Sequence, residues 1–292
     1  MRRSFALTSR IGDHAVAFAA VDGAVEPAAP RRAATVVLVR DAAAGPQAFL
    51  MRRTSTMAFA ASMHVFPGGG VDPRDCDPAV PWSGPPLSAW AERLGVDEPD
   101  AAGLVCAAVR ELFEECGVLL AGAGPDDVVA DLSDDSWEAD RLALLDRSLA
   151  LSELLTRRSL TLRTDLLTAW SRWCTPVFEP RRYDTWFFVA ALPTGQRARE
   201  VGGEADHAEW LDAGTAATGG GDGTLAMMPP TLVTLEDVAQ APDVAALLAR
   251  QRQLSLVMPW LVRTGDGLAI EVDLDGEGGG RPGPAGGLED RP

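Results

Sequence analysis

Residues 110–118 contain the side chains with the clearest chemical potential in this chain. Three carboxylates, those of Glu111, Glu114 and Glu115, occupy positions i, i+3 and i+4. On an α-helix this spacing directs them to one side, where like charges repel unless a cation lies among them. Mg²⁺ and Mn²⁺ prefer such oxygen ligands, and Mg²⁺ often combines one or two carboxylates with substrate phosphates. The cluster therefore predicts a Mg²⁺ or Mn²⁺ site for phosphate chemistry, with a solvated acidic helix face as the alternative.

The flanking sequence predicts the helix that positions these carboxylates. Apolar residues recur along one face, so we expect that face to pack on a core. Arg110 lies four residues before Glu114 and can pair with it. Gly117 can adopt the positive φ of a helix C-cap, which places the helix at about residues 101–116. We take Arg110 and the three glutamates as candidate catalytic residues. Glu111 and Glu115 are the foremost metal ligands, and Glu114 is a further ligand or a helper.

Residues 110–118 resemble the second half of the Nudix box, Arg-Glu-apolar-x-Glu-Glu-x-Gly-apolar, at every defined position. The first half of that box, Gly-x5-Glu, follows a Pro-Gly-Gly turn, which residues 66–72 resemble. With Gly69 as its first position, Asp75 stands where the family has Glu. The resemblance implies that Asp75 holds the loop against the helix, so the shorter side chain affects the rigidity of the loop more than the chemistry.

An insert at residues 76–100 separates the two halves of the box. A split box resembles one Nudix branch, that of the peroxisomal coenzyme A diphosphatase. Residues 52–65 before the turn and residues 170–188 after the helix also resemble that branch, and the whole resemblance covers residues 33–250. We expect the insert to be an ordered excursion on the protein surface.

The resemblance implies a metal-dependent diphosphatase that cleaves a nucleoside diphosphate linked to another moiety, with coenzyme A or acyl-coenzyme A as the branch-level substrate. A non-catalytic Nudix module that senses a nucleotide such as ADP-ribose is the alternative, and the intact carboxylates favour the enzyme. The family often uses an acidic residue from outside the box, for which Glu204 and Glu209 are candidates. A role as an ordinary solvated side chain is nevertheless the favoured interpretation for each. The general base is Glu111 or a carboxylate from elsewhere.

Glycine and arginine residues are the candidates for contact with a substrate. Glycine allows close approach of the backbone to a ligand, and arginine suits bidentate phosphate recognition. For the arginines, solubilising charge at strand ends is an equal alternative. The candidate substrate-binding residues are Gly68, Gly69, Gly70, Arg52 and Arg182, with Arg53 and Arg181 beside the two arginines. Three other side chains, at His64, Trp170 and Trp173, fit packing better than ligand binding.

The fold class expected is α/β. Strands that alternate with a few helices predict a mixed sheet between helices, in agreement with the Nudix-type α/β/α sandwich that the resemblance implies. An apolar content of 47% supports one substantial core. We therefore expect a single elaborated domain over residues 1–275, with a helical insertion at 122–170, and a disordered Gly/Pro-rich tail at 276–292. The expected strands are 34–39, 47–51, 185–192, 208–211 and a hairpin over 254–274; 231–238 and 244–251 are expected helices, and 219–223 is an expected flexible loop.

The charge of the chain limits its partners. A formal net charge of −16 argues against nucleic acid and anionic membranes as partners. We expect a small-molecule partner, a nucleoside diphosphate derivative, and leave the oligomeric state open, a homodimer included. The four cysteines lack C-x-x-C spacing, which indicates neither a zinc site nor a redox pair. With no signal-peptide pattern at the N-terminus, a cytoplasmic location is expected.

Overall fold

The computed structural model describes residues 1–5, 7, 9–23, 26–54, 61–199, 205–265, 267–274, 280–281 and 287–291. The chain divides into two compact units. The terminal unit comprises residues 1–33, 170–187 and 252–292, and the central unit comprises residues 34–169 and 188–251. The single domain expected over residues 1–275 stays a prediction beside this division.

The described residues form strands and helices throughout both units. The strands are β1 (Arg2–Phe5), β2 (Arg31–Ala42), β3 (Gly45–Arg53), β4 (His64–Val65), β5 (Gly68–Gly70), β6 (Trp82–Ser83), β7 (Ala121–Gly122), β8 (Thr161–Arg163), β9 (Thr168–Cys174), β10 (Tyr183–Ala191), β11 (Ala205–Asp212), β12 (Leu256–Val257), β13 (Trp260–Thr264), β14 (Gly267–Leu274), β15 (Gly280–Arg281) and β16 (Leu288–Asp290). The helices are α1 (Ser9–Ala20), α2 (Leu87–Leu94), α3 (Glu98–Cys116), α4 (Asp135–Leu145), α5 (Leu151–Arg157), α6 (Ala213–Asp222), α7 (Pro229–Ala239) and α8 (Val244–Leu248), with 3₁₀ turns at Pro73–Cys76 and Thr164–Leu166.

The sheet of the central unit is built on the hairpin of β2 and β3. The two strands are antiparallel, with Val39 opposite Ala48, and a two-residue turn joins Ala42 to Gly45. β11 lies antiparallel on the outer side of β3, while β10 is next to β2. The β-branched and other apolar residues at 36–39 are fully buried, as expected for a strand covered on both faces. These four strands confirm the predicted strand positions.

Helix α3 carries the three predicted carboxylates. Its N-cap is Asp97, whose side chain accepts a hydrogen bond from the Asp100 amide at 3.0 Å. Gly117 ends the helix with a φ of +67°, and its amide donates to the Phe113 carbonyl. The predicted C-terminal end is therefore confirmed, and the helix starts three residues earlier than predicted because Asp97 supplies a cap that the apolar pattern alone does not reveal.

The insert at 76–100 is ordered as predicted, but its predicted place on the surface is wrong for the residues around α2. Trp90 has no exposed surface and packs on Phe188 at 6.0 Å between ring centroids. Its indole N–H donates to the Thr164 hydroxyl at 3.3 Å. A buried tryptophan with a hydrogen-bond partner contributes a large apolar area to a core, so the insert is part of the core of the central unit.

Two other predictions about local structure are wrong. The predicted helical insertion at 122–170 is helical only in α4 and α5, and residues 161–163 and 168–174 are strands because pairing with neighbouring strands overrides a leucine pattern of helical spacing. The predicted flexible loop at 219–223 belongs largely to α6. A Cβ atom at Gly220 would lie 2.5 Å from the Met227 sulfur, so this glycine permits close packing.

The terminal unit has its own sheet, with the order β1–β14–β13–β16. The predicted hairpin is confirmed where Thr264 lies opposite Gly267. Leu288 packs with a buried cluster that contains Phe18 and Leu261, and β16 pairs with β13. The disorder prediction for the tail therefore differs from the structure at residues 280–281 and 288–290, and the rest of that segment, apart from residues 287 and 291, lies outside the described residues. No described helix is long and apolar enough to cross a membrane.

Candidate active site

Arg110 lies at the centre of the candidate site in the central unit. Its Nε and Nη2 atoms donate to the two carboxylate oxygens of Asp75, each at 2.9 Å. Nη2 also donates to the Gly70 carbonyl at 2.9 Å. Asp75 is only 2% exposed, and paired hydrogen bonds between guanidinium and carboxylate are strong and directional. The loop after the glycine turn is therefore held against α3 by Asp75, as the resemblance implies for that position.

The remaining guanidinium nitrogen of Arg110 faces two of the predicted metal ligands. Nη1 donates to Glu111 at 2.7 Å and to Glu114 at 3.3 Å. Burial acts to lower the pKa of Arg110, but the hydrogen bond that it donates to Asp75 and the neighbouring carboxylate charges raise it above its ordinary value. Arg110 thus places one positive charge among these glutamates.

The three predicted carboxylates of α3 are largely withdrawn from solvent, with the Glu111 side chain 12% exposed, so they do not form the solvated acidic face considered as an alternative. Glu114 and Glu115 are 7% and 8% exposed. Burial raises the pKa of Glu111 to about 7, against the opposing effect of the Arg110 charge. Burial likewise raises the pKa of Glu114. Asp75, Glu111 and Glu114 share the guanidinium of Arg110, and Glu115 lies beside them on the helix, so carboxylates outnumber this cation in a poorly solvated place.

The glycine turn is in direct contact with the carboxylates of α3. The Gly68 amide donates to Glu115 Oε2 at 2.7 Å. A Cβ atom at Gly69 would lie 2.6 Å from the carboxylate carbon of Glu111 and even closer to one oxygen. A Cβ atom at Gly68 would instead meet backbone atoms of Ala34 and Thr35 on β2. Each glycine therefore permits a close contact of the turn, with β2 at Gly68 and with Glu111 at Gly69, that a side chain would prevent.

Asp72 extends the charged network from the glycine turn. Its amide donates to Asp75 at 2.8 Å, and its carboxylate accepts from the Arg74 amide and guanidinium. Arg147 also forms an ion pair with Asp72. The side-chain hydrogen bond from Arg74 is the main reason that the pKa of Asp72 lies well below its ordinary value. Asp72 therefore stays ionised beside the loop.

Arg141 on α4 is a site-supporting residue that the sequence analysis missed. It is 2% exposed, and its Nη1 donates to the main-chain carbonyl of Glu114 at 2.8 Å. Glu138 accepts from its Nε and Nη2 at 3.0 Å and 2.6 Å. The spacing of Glu138 and Arg141 signals a pair on one helix face, but nothing in the sequence indicates that the arginine reaches α3.

The predicted substrate-binding arginines lie in different surroundings. Arg52 on β3 is about half exposed and donates to Asp206 at 2.7 Å. Arg182, in the terminal unit, is 8% exposed and donates to the backbone carbonyls of Thr175, Pro176 and Ala28. These contacts give Arg182 a structural role, so its assignment to the substrate gains no support from them. Arg181 is exposed, and Arg53 lies at the end of β3.

The other candidates lie apart from the carboxylate cluster in their described contacts. Glu209 on β11 pairs with His207 at 3.0 Å, and Glu204 lies outside the described residues. His64 on β4 contacts the Ala226 carbonyl, which agrees with a packed histidine. Trp170 and Trp173 are buried, as predicted, although they lie on the strand β9. Trp170 thus lies on a strand and not in the helical insertion predicted for residues 122–170, because β9 pairs in a sheet.

The donor set on α3 fits a hard divalent cation. Excess carboxylate charge and oxygen donors suit Mg²⁺ or Mn²⁺. Among the described residues, no three acidic, histidine or cysteine side chains converge in one metal-holding cluster. The contacts explain this, since Glu111 and Glu114 turn towards Arg110 while Glu115 turns towards the Gly68 amide. A cation held by one or two carboxylates together with substrate phosphates needs no such cluster.

Comparisons with known proteins agree on one family. The chain is 29% identical over 183 residues to the acyl-coenzyme A diphosphatase NUDT19 of Gallus gallus, covering 49% of this chain and 48% of the relative. It is 27% identical over 203 residues to a putative nudix hydrolase 7 of Caenorhabditis elegans, covering 66% of this chain and 56% of the relative. The chain thus spans about half the length of the curated relatives it matches. No protein-family model matches it.

A solved structure extends the likeness to the fold. The crystal structure of a Nudix hydrolase from Alicyclobacillus acidocaldarius is 28% identical and superposes with a TM-score of 0.66. The match covers 77% of this chain and 98% of that chain. The mixed α/β fold predicted from the sequence is therefore confirmed.

Proposed function

We propose that this chain, which is similar in sequence and in fold to Nudix hydrolases, hydrolyses the diphosphate bond of a nucleoside diphosphate derivative with the help of Mg²⁺ or Mn²⁺. The observation that carries this proposal is the paired contact of Arg110 with Asp75, because it joins the two separated halves of the box. The same arginine contacts Glu111 and Glu114, so loop and helix form one acidic site.

The residues on α3 have distinct roles in this proposal. Glu111 and Glu115 would hold the cation, and Glu114 would be a further ligand or would orient Arg110. When bound, a divalent cation would neutralise charge on the phosphate oxygens and so favour attack by water. Glu111, or a carboxylate from elsewhere in the chain, would accept the proton from that water. Arg110 would keep the carboxylates apart by occupying the space among them.

The substrate would approach the site over the glycine turn. Gly68, Gly69 and Gly70 carry no side chains to keep a phosphate group away from the backbone. Arg52 is exposed enough to reach a phosphate, so we propose it, in place of Arg182, as the arginine that contacts the substrate. Its loss would raise KM more than it lowers kcat if it contributes equally to the binding of the substrate and the transition state.

Coenzyme A or an acyl-coenzyme A is the substrate that we propose to test first. This choice is supported by the similarity of the chain to the chicken acyl-coenzyme A diphosphatase and by the insert that splits the box. The expected partner is a small molecule, and we propose the cytoplasm as its compartment because the four cysteines are free thiols, which a reducing compartment maintains.

The test is product release from purified protein with Mg²⁺ or Mn²⁺ and a panel of coenzyme A, acyl-coenzyme A, ADP-ribose, NADH and dinucleoside polyphosphates. Glu115→Gln should lose at least about 100-fold of kcat, since removal of a group that stabilises transition-state charge costs about this much. Glu98→Gln is the matched control, because it makes the same change at an exposed residue in the first turn of the same helix.

Two results would contradict the proposal. Full activity of Glu115→Gln would exclude the metal-binding role of that carboxylate. A wild-type protein that binds one ligand in a thermal-shift assay but cleaves none of the panel would instead indicate a nucleotide sensor.

A further inference from the structure

We propose that α4, α5 and the loop between them, residues 135–157, position the catalytic carboxylates through two arginines, Arg141 and Arg147. This α4–α5 segment contacts both sides of the candidate site, at the end of α3 and at the loop before the insert. The inference rests on the proposed function for the meaning of the site. It assigns a role to a segment that the Nudix box does not contain.

The first contact is at the C-terminal turn of α3. The last four carbonyl groups of a helix have no partner within the helix, and they carry its negative dipole. Arg141 donates to the carbonyl of Glu114 at 2.8 Å, with its guanidinium held in place by Glu138. The adjacent ring contact, between Phe113 and Trp137 at 6.3 Å, fixes α4 on the same turn.

Glu138 also connects the end of α3 to a second chain segment. It accepts from Arg199 at 3.1 Å, and the amide of that arginine donates to the Cys116 carbonyl at 3.1 Å. Two carbonyls of the last turn, those of Glu114 and Cys116, therefore accept from residues outside the helix. The backbone between them carries Glu115, so its direction depends on these contacts.

The second contact is at Asp72. Arg74 donates to the carbonyl of Arg147 at 2.8 Å, and the Arg147 side chain returns to pair with Asp72. Asp72 in turn donates its amide to Asp75, the residue that holds Arg110. A continuous series of hydrogen bonds thus leads from the loop after α4 to the arginine among the catalytic carboxylates.

The backbone of Arg147 supports a specific role for this residue. Its φ is +65°, a left-handed conformation that costs a residue with a Cβ atom about 1 kcal/mol relative to glycine. Asn, Asp and Gly are the residues that favour this region, yet an arginine occupies it. The unfavourable conformation is maintained where the main chain accepts from Arg74 and the side chain reaches Asp72.

The experiment compares three variants of the full chain. Arg147→Gln removes the charge at an exposed position. Arg141→Lys keeps the positive charge but loses the planar guanidinium that donates to both Glu138 and the Glu114 carbonyl. Arg157→Gln is the control. Arg157 is an exposed arginine of the same segment that pairs with Asp140 and contacts neither α3 nor the loop in its described hydrogen bonds. The readouts are the Kd of Mn²⁺ by calorimetry and hydrogen exchange of the amides at 113–117.

The first two variants should raise the Kd of Mn²⁺ about 10-fold, because residues that orient metal ligands typically contribute 10- to 100-fold to affinity. Arg141→Lys should also speed hydrogen exchange at 113–117, while Arg157→Gln should change neither readout. If wild-type protein binds Mn²⁺ but cleaves nothing, the proposed function fails and the affinities still test the positioning role. If it binds no Mn²⁺, hydrogen exchange alone decides, and unchanged exchange in Arg141→Lys would overturn the inference.

Discussion

The two adjacent glycines of the turn should respond to alanine in opposite ways. At Gly69, the new methyl group would lie 2.6 Å from the carboxylate carbon of Glu111. That carboxylate is the end of a flexible side chain, so it can move away by about 1 Å, a displacement of a catalytic group that can cost about 100-fold in rate. We therefore expect Gly69→Ala to lose about 2.7 kcal/mol of transition-state stabilisation and little folding stability.

At Gly68 the same methyl group would meet atoms that cannot move in this way. It would lie 2.5 Å from the Ala34 carbonyl oxygen and 2.7 Å from the Thr35 Cα atom, both in the backbone of β2. Forcing extra volume into such a place costs about 1–3 kcal/mol of folding free energy. Gly68→Ala should therefore lower the denaturation midpoint measurably.

The assay measures kcat/KM with the best substrate of the panel and urea denaturation for both variants. Gly69→Ala should be nearly as stable as wild type but about 100-fold less active. An active Gly69→Ala, or a Gly69→Ala that is destabilised as much as Gly68→Ala, would refute the contact between the turn and Glu111 on which this reasoning depends.

Three further substitutions or conditions give clear expectations. Asp75→Asn should destabilise the protein by about 3 kcal/mol in urea denaturation, because it leaves the buried charge of Arg110 with one partner fewer; an unchanged midpoint would contradict the role of this pair. Trp90→Ala should cost about 3–5 kcal/mol in the same measurement, since it empties a fully buried site; a loss below 1 kcal/mol would place the insert outside the core. The raised pKa of Glu111, about 7 against an ordinary 4.5, favours the folded state at low pH, so the chelated protein should lose thermal stability as the pH rises from 4.5 to 7. Added Mn²⁺ should oppose this loss, and a Tm that rises over the same pH range without metal would contradict it.

The sequence predicts the parts of the fold that depend on local patterns. The hairpin of β2 and β3, the end of α3 at Gly117 and the presence of a helix over 231–238, which α7 contains, follow from strand propensity, a C-cap and helix-initiating residues. The pairing of Arg110 with Glu114 also follows from spacing on one helix. The bracing contact of Asp75 was available from the resemblance.

The features that could not be predicted depend on contacts between distant segments. Trp90 is buried because Phe188 and Thr164 lie beside it in the fold, and the sequence of the insert alone does not reveal these contacts. The contact of Arg141 with α3 joins residues 27 positions apart through a backbone carbonyl, which carries no sequence signal. Gly219 and its neighbours are helical although glycine disfavours helices. Glycine is needed there because a Cβ atom at Gly219 would collide with the Leu225 side chain, a contact that the sequence does not reveal.

The pairing of Arg110 with Asp75 has a consequence for how such a chain can evolve. The two halves of the site are linked through side chains in space, so the peptide between them need not have a fixed length. Its two ends must keep their places, at the 3₁₀ turn that carries Asp75 and at the N-cap of α3, and Trp90 must keep its place in the core. Lineages can therefore vary the exposed parts of this segment without rebuilding the acidic centre. The exposed residues at 78–79 offer the same freedom to an experimenter who wants to insert a tag or a reporter.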